Sequence, residues 1–248
     1  MWFDPDELLA QQTREIQEVE SGRFAGKGHF GAYYALLKGV NARWVLPHST
    51  VNDRIALSYC RELLYILGGR ANRIRSVLDV GCGVGAITNA WRELLPQAAA
   101  TGVDIAEAAI TYAKEKYPVC SFLCAGINGE TDLGSRFDLV HCKGFFPLIR
   151  TDDTAVHLKY LRTCVRHLTP GGVLVLVHPD QGETVNYQIR SGHISHQELY
   201  LSKFEVYPTS LWPFRDYLPY RVASRLSPFL ARLMKRHAWE VCLASRDL

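Results

Sequence analysis

The stretch Ser76-Val77-Leu78-Asp79-Val80-Gly81-Cys82-Gly83-Val84-Gly85-Ala86-Ile87 decides the reading of this 248-residue chain. A short run of β-forming residues enters three glycines at alternate positions, and a helical pattern begins just beyond them. Glycine permits positive φ and lets another molecule approach the backbone closely. On the glycines alone the turn also fits a dinucleotide fingerprint, with Gly81, Gly83 and Ala86 in the Gly-x-Gly-x-x-Gly/Ala positions. Asp79 separates the two readings. A dinucleotide brings an anionic pyrophosphate to the start of the helix, where this carboxylate would repel it; a cationic ligand reverses the sign. The plainer alternative is that Asp79 caps the turn through backbone hydrogen bonds.

Working outward, Ser76–Val80, Ala99–Val103, Ser121–Leu123, Phe137–Cys142 and Gly172–Val177 read as strands. Ala86–Leu95, Ala106–Tyr117 and Asp152–Leu168 read as helices between them. Near-continuous apolar strands joined by helices predict a doubly wound α/β fold with a mostly parallel sheet, helices on both faces and a ligand at the carboxyl ends of the strands. Upstream, helices are expected over residues 6–19, over Phe30–Lys38, and from a capping-box-like Thr50-Val51-Asn52-Asp53 to the stop at Gly68-Gly69. Downstream, His178–Gln197 reads as a loop with a helix, and Phe204–Leu211 and Trp239–Ala244 as late strands. We expect one domain over residues 1–248: an N-terminal helical lid (1–70), a cofactor-binding core (71–178), and an acceptor-side, sheet-completing segment (179–248) with a helical insertion. Asp104 ends the second strand about 20 residues past the turn, where a carboxylate accepts the hydroxyls of a ribose or caps the next helix.

The chain resembles the class I S-adenosylmethionine-dependent methyltransferases, a Rossmann-like family. The resemblance rests on Val77-Leu78-Asp79-Val80-Gly81-Cys82-Gly83-Val84-Gly85, Gly102-Val103-Asp104, Phe137-Asp138-Leu139-Val140 and Leu168-Thr169-Pro170-Gly171-Gly172-Val173-Leu174, in the family's order and at its usual spacing. It implies a seven-stranded sheet whose last strand is antiparallel, with methyl transfer from S-adenosylmethionine leaving S-adenosylhomocysteine. It implies that Asp79, Gly81 and Gly83 hold the methionine part, with Cys82 and Gly85 in the same cofactor turn. Asp104 would then hold the ribose, with Ile105 against the adenine. One position departs from the family. Ile127 fills the slot where an acidic residue usually meets the adenine amino group, leaving that contact to Asn128 or a backbone carbonyl.

The segment His141-Cys142-Lys143-Gly144-Phe145-Phe146-Pro147 should face the transferred methyl. It lacks the Asp/Asn-Pro-Pro-Tyr/Phe sequence of enzymes resembling the amino-methylating families, which argues against nucleic-acid and glutamine acceptors. His141 is the expected general base, with His178 second; each reads equally well as a hydrogen-bonded histidine at a strand end. Phe145, Tyr33 and Tyr34 are candidate acceptor contacts, the tyrosines within an aromatic group completed by Phe30 and Trp44. Helix-to-sheet packing accounts for at least half of that group. The sequence thus points to methyl transfer onto a small molecule, leaning to a hydroxyl oxygen. A nicotinamide-dependent oxidoreductase and a non-catalytic cofactor-binding module of the same fold are the alternatives.

Composition sets the outer limits. With 48% hydrophobic and 21% charged residues, the chain is not a disordered or low-complexity scaffold. A net charge of +3 does not predict a nucleic-acid partner. No run reaches the roughly 18 apolar residues of a membrane span, and Met1-Trp2-Phe3-Asp4-Pro5-Asp6-Glu7 is too acidic for a secretion signal. The 7 cysteines form no Cys-x-x-Cys pair, so reduced thiols, no metal site and a cytoplasmic location are expected. Trp212–His237 mixes basic and aromatic residues. It reads first as a core-facing helix with a basic outer side, and otherwise as a peripheral membrane contact or a cover over a large or acidic acceptor.

Overall fold

Asn52 opens the first described helix, α1 (Asp53–Leu67), its side chain accepting from the amides of Arg54 and Ile55. The N-cap is thus Asn52 and not Thr50, because an Asn side chain already bonds the first-turn amides. Gly68 ends the helix at φ +55°, its N–H turned back to the Leu64 carbonyl. The computed structural model describes residue 14 and residues 52–128, 131–149, 153–179, 185–190, 192–195, 199, 201–209 and 239–246. The helices expected over 6–19 and Phe30–Lys38, the aromatic residues Phe30, Tyr33, Tyr34 and Trp44, and the segment Trp212–His237 lie outside these residues.

After a 3-10 turn at Gly68–Arg73, strands and helices alternate. They are β1 (Ser76–Val80), α2 (Ala86–Leu94), β2 (Ala99–Asp104), α3 (Glu107–Lys116), β3 (Ser121–Cys124), β4 (Phe137–Lys143), α4 (Thr154–Arg166) and β5 (Leu168–Pro179). A short α5 (Val185–Arg190), β6 (Leu201–Thr209) and β7 (Trp239–Arg246) follow. The strands lie in the order β3-β2-β1-β4-β5-β7-β6. Pairing is parallel from β3 through β5, and β7 runs antiparallel to both of its neighbours, giving a mixed sheet.

Strand alternation deals residues to two separate cores. Val77, Leu139, Val173, Val175 and Val177 point to the face covered by α1 and α2, against Tyr59, Leu63, Ile87 and Trp91. Leu78, Val80, Val140, Cys142, Leu174 and Leu176 point to the other face, against Tyr160, Leu161 and Cys164 of α4. The apolar stripe of α1 therefore makes it a layer of the core, although it falls within the segment expected to form a lid. The strand β5 begins at Leu168, before the expected Gly172, because Leu168 pairs with Phe137 across a register irregularity. At its other end it continues to Pro179, so His178 is a strand residue held against Glu240 of β7. Among the described residues no helix is long and apolar enough to cross a membrane.

Candidate functional site

The glycine turn is stitched to the end of β2. The amides of Gly81 and Cys82 donate to the Val103 carbonyl at 2.8 and 3.1 Å, and the Gly83 amide donates to Asp104 Oδ2 at 2.8 Å. Gly81, Gly83 and Gly85 have φ of +72°, +54° and +81°, a region that side chains penalise. A pyrophosphate at a helix start needs free backbone amides. Here three consecutive amides are already committed to protein oxygens, and this feature does not support the dinucleotide alternative.

Not every glycine serves a ligand. A Cβ at Gly85 would lie 2.7 Å from the Phe122 ring and 2.9 Å from the Ala113 Cβ, so this position faces protein packing. Gly102 is required for the same reason, since a Cβ there would sit 2.7 Å from Cys82 Sγ and 2.8 Å from Thr88 Oγ1. The Cys82 side chain is accordingly turned into the core. At Gly81 the neighbour is different: a Cβ would meet the Phe145 ring at 3.3 Å. That places Phe145 over the turn, its other side held edge-to-face by Tyr160 at 5.6 Å between centroids.

Asp104 is half-buried at the carboxyl end of β2. Its Oδ1 accepts from the Ala106 amide at 2.8 Å while Oδ2 holds Gly83, so it caps α3 and fixes the turn together. A carboxylate offers about four lone-pair sites, so this one retains acceptor capacity toward a diol. Desolvation raises its pKa and the two amides oppose that rise, with Asp79 adding a smaller upward push. Burial pushes the Cys82 thiol up as well, and the charges of Asp104 and Asp79 push it further. The turn therefore lies in a negative field, which fits a sulfonium-bearing ligand.

Asp79 is not open to that ligand. It is 2% exposed, with Oδ1 2.8 Å from His141 Nδ1 and Oδ2 accepting from Thr88 Oγ1 at 2.7 Å. The expected direct meeting of carboxylate and cation is replaced by a carboxylate tied into the protein beneath the turn. His141, the expected base, is 0% exposed, and its Nε2 faces the Tyr59 hydroxyl at 2.7 Å. Register explains this: Asp79 and His141 are directly paired on β1 and β4 and project to one face. His178 goes to the opposite face, because it lies three residues beyond Val175, the register partner of His141. It is fully buried with no hydrogen-bond partner at either ring nitrogen among the described residues. Burial, then the nearby His141, His157 and Lys143, lower its pKa to about 3. The first and second candidates for the base thus stand on opposite sides of the sheet.

On the adenine side, Ile105 is half-buried beyond Asp104 and Ile127 is buried in the α4-side core. The Asn128 side chain is turned to Thr131 Oγ1 at 2.9 Å, and its carbonyl accepts from Thr163 Oγ1 at 2.7 Å. Tyr33 and Tyr34 lie outside the described residues. Sequence reasoning missed Thr88 and Tyr59. Each is a hydroxyl on a buried and mostly apolar helix face, and that mismatch is the signal that could have found them.

Comparison with known proteins agrees with this geometry. The methyltransferase domain family matches residues 77–172. The trans-aconitate 2-methyltransferase of Rhodopseudomonas palustris (strain BisB18) is 35% identical over 107 residues, covering 43% of this chain and 39% of that protein. The malonyl-[acyl-carrier protein] O-methyltransferase of Acetivibrio thermocellus is 38% identical over 66 residues, covering 26% of this chain and 23% of its own. The chain thus spans about two-fifths of the first of these relatives and less of the second. The solved plantazolicin methyltransferase BpumL in complex with SAH shares the fold, with a TM-score of 0.52, 16% identity and 97% of both chains covered. Residues 77–172 thus match the methyltransferase domain family, and the chain shares the fold of a solved methyltransferase.

Proposed function

We propose that the protein transfers a methyl group from S-adenosylmethionine to an oxygen of a small-molecule acceptor, and that this oxygen is a carboxylate. The observation that carries the cofactor half is Asp104. It clamps the glycine turn through Gly83 while keeping acceptor capacity for ribose hydroxyls, within a turn made negative by two carboxylates. Bound there, the cofactor supplies an electrophilic methyl on a sulfonium. The chain's own part is to hold the ribose at Asp104, to let the backbone of Gly81 and Gly83 approach the methionine part, and to lay the Phe145 ring along the turn. An in-line displacement gains most of its acceleration from such positioning.

The acceptor half rests on a contrast with the sequence reading. The lean to a hydroxyl rests on His141 as a base and on the absent amino-methylating motif, and His141 is sealed between Asp79 and Tyr59. A carboxylic acid is already ionised near neutral pH and needs no base. The names of the curated relatives, trans-aconitate 2-methyltransferase and malonyl-[acyl-carrier protein] O-methyltransferase, support the same chemical class.

The test is to incubate the protein with deuteromethyl cofactor and matched panels of small carboxylic acids and alcohols. Mass spectrometry then finds the labelled product. The proposal expects a methyl ester that mild alkali returns to the acid. Label found in an alkali-stable ether or N-methyl product would contradict it.

A further inference from the structure

Four buried polar side chains form a continuous line beneath the glycine turn, from helix to sheet and back to helix. Tyr59 Oη of α1 is 2.7 Å from His141 Nε2, His141 Nδ1 is 2.8 Å from Asp79 Oδ1, and Thr88 Oγ1 of α2 donates to Asp79 Oδ2 at 2.7 Å. None of the four is more than 3% exposed. A carboxylate only accepts, so Nδ1 carries a proton, and in the neutral ring Nε2 accepts from the Tyr59 hydroxyl. The Trp91 ring packs edge-on against the imidazole at 5.8 Å, and Lys143 Nζ lies 5.8 Å from the Tyr59 ring centroid.

This line crosses a face otherwise built from Val77, Leu139, Val175 and the α1 and α2 apolar stripes. Burying four polar groups there is costly unless every one is bonded, and an apolar set would pack the same space. What the polar set achieves is at its middle. Asp79 lies two residues before Gly81, and both its oxygens are held: Oδ1 by His141 of β4, which Tyr59 of α1 backs, and Oδ2 by Thr88 of the helix that follows the turn.

Building on the cofactor reading above, we propose that Tyr59 and His141 are positioning residues for the cofactor: through Nδ1 they hold the Asp79 carboxylate in one orientation under the turn, so that its charge favours the bound ligand's positive end. Neither touches the cofactor. Tyr59 fixes the imidazole, the imidazole fixes Asp79, and Asp79 with Thr88 fixes the start of α2.

The test is titration calorimetry with S-adenosylhomocysteine on the wild type, Tyr59→Phe, His141→Asn and His141→Gln, with a thermal melt of each. Asparagine can present an amide N–H close to where Nδ1 stood, whereas glutamine reaches toward the Nε2 position. Losing one neutral hydrogen bond is worth about fivefold, so Tyr59→Phe should weaken binding by about that factor. His141→Asn should stay within about threefold of Tyr59→Phe, while His141→Gln should lose about tenfold or more, because the bond to the Asp79 charge is the stronger one. A merely structural line would lower all three melting temperatures and leave the affinities at the wild-type value, or would make Asn and Gln equal; either result overturns the proposal. A wild type that takes up no S-adenosylhomocysteine would overturn the cofactor reading and this inference with it. Nitrogen-15 histidine spectra give an independent check. The His141 Nδ1 proton should appear as a slowly exchanging downfield resonance that survives in Tyr59→Phe and disappears in Asp79→Ala. Its absence from the wild type also overturns the proposal.

Discussion

Asp138 and Asp104 sit at opposite ends of the sheet, both half-buried, and they do different work. At the amino end, Asp138 accepts from four donors: the amides of Arg75 and Ser76 and the hydroxyls of Ser76 and Thr169. It ties β1, β4 and the start of β5 together, with three donors on Oδ2 and one on Oδ1. At the carboxyl end, Asp104 accepts from two amides and keeps capacity to spare. Both belong to segments of the family resemblance, so motif membership does not distinguish a clamp from a binding group. The number of donors and the end of the strand do.

The largest expected effect breaks the clamp. Asp138→Ala leaves the Arg75 and Ser76 amides without their partner, and such losses cost about 2–3 kcal/mol in all. Denaturant unfolding should show that loss while the affinity of the remaining folded protein for S-adenosylhomocysteine stays at the wild-type value. A large loss of affinity in folded Asp138→Ala would erase the distinction between the two ends.

The carboxyl end has its own structural cost, visible only in acid. His178 is held neutral by burial, with a folded pKa of about 3 against an unfolded value of about 6.5. The unfolded chain therefore binds the extra proton between these values. The stability is fully present above about pH 6.5 and is lost as pH falls toward 3, by up to about 1.4 kcal/mol per pH unit. The variant His178→Leu should show a shallower loss than the wild type across that window. Parallel curves would show that His178 is charged in the fold.

The smallest effect grades the clamp. Ser76→Ala removes one of the four donors to Asp138, together with the acceptor of the Asp138 amide. About 1 kcal/mol is expected, measured by the same unfolding titration. A cost equal to that of Asp138→Ala would mean that the serine, not the carboxylate, holds the amino end.

How far the sequence revealed these regions follows from the range of the interactions. The strands from β1 to β4 were legible within a residue or so, because apolar runs and glycine stops are local signals. The start of β5 was not, since Pro170-Gly171-Gly172 reads as a turn and only the pairing of Leu168 with Phe137 makes it strand. In the candidate site, the position of Asp104 at the end of β2 could be read from spacing, and so could the strain at Gly81, Gly83 and Gly85. The partners of Asp79 could not. His141 is 62 residues away and Tyr59 lies in a helix before the turn, and only parallel register brings them together. The same register sends His178 to the other face, a separation invisible when both histidines are seen only as strand-end residues.

Asp104 and the glycine turn are proposed to receive S-adenosylmethionine. Titration calorimetry of S-adenosylhomocysteine against the wild type and Asp104→Ala tests this most directly, with NADH as the competing ligand. Saturable binding by the wild type is expected, with at least about tenfold weaker binding in Asp104→Ala through loss of charge-assisted hydrogen bonds and no displacement by NADH. Equal affinity in the two proteins, or tight binding of NADH in place of S-adenosylhomocysteine, would contradict it.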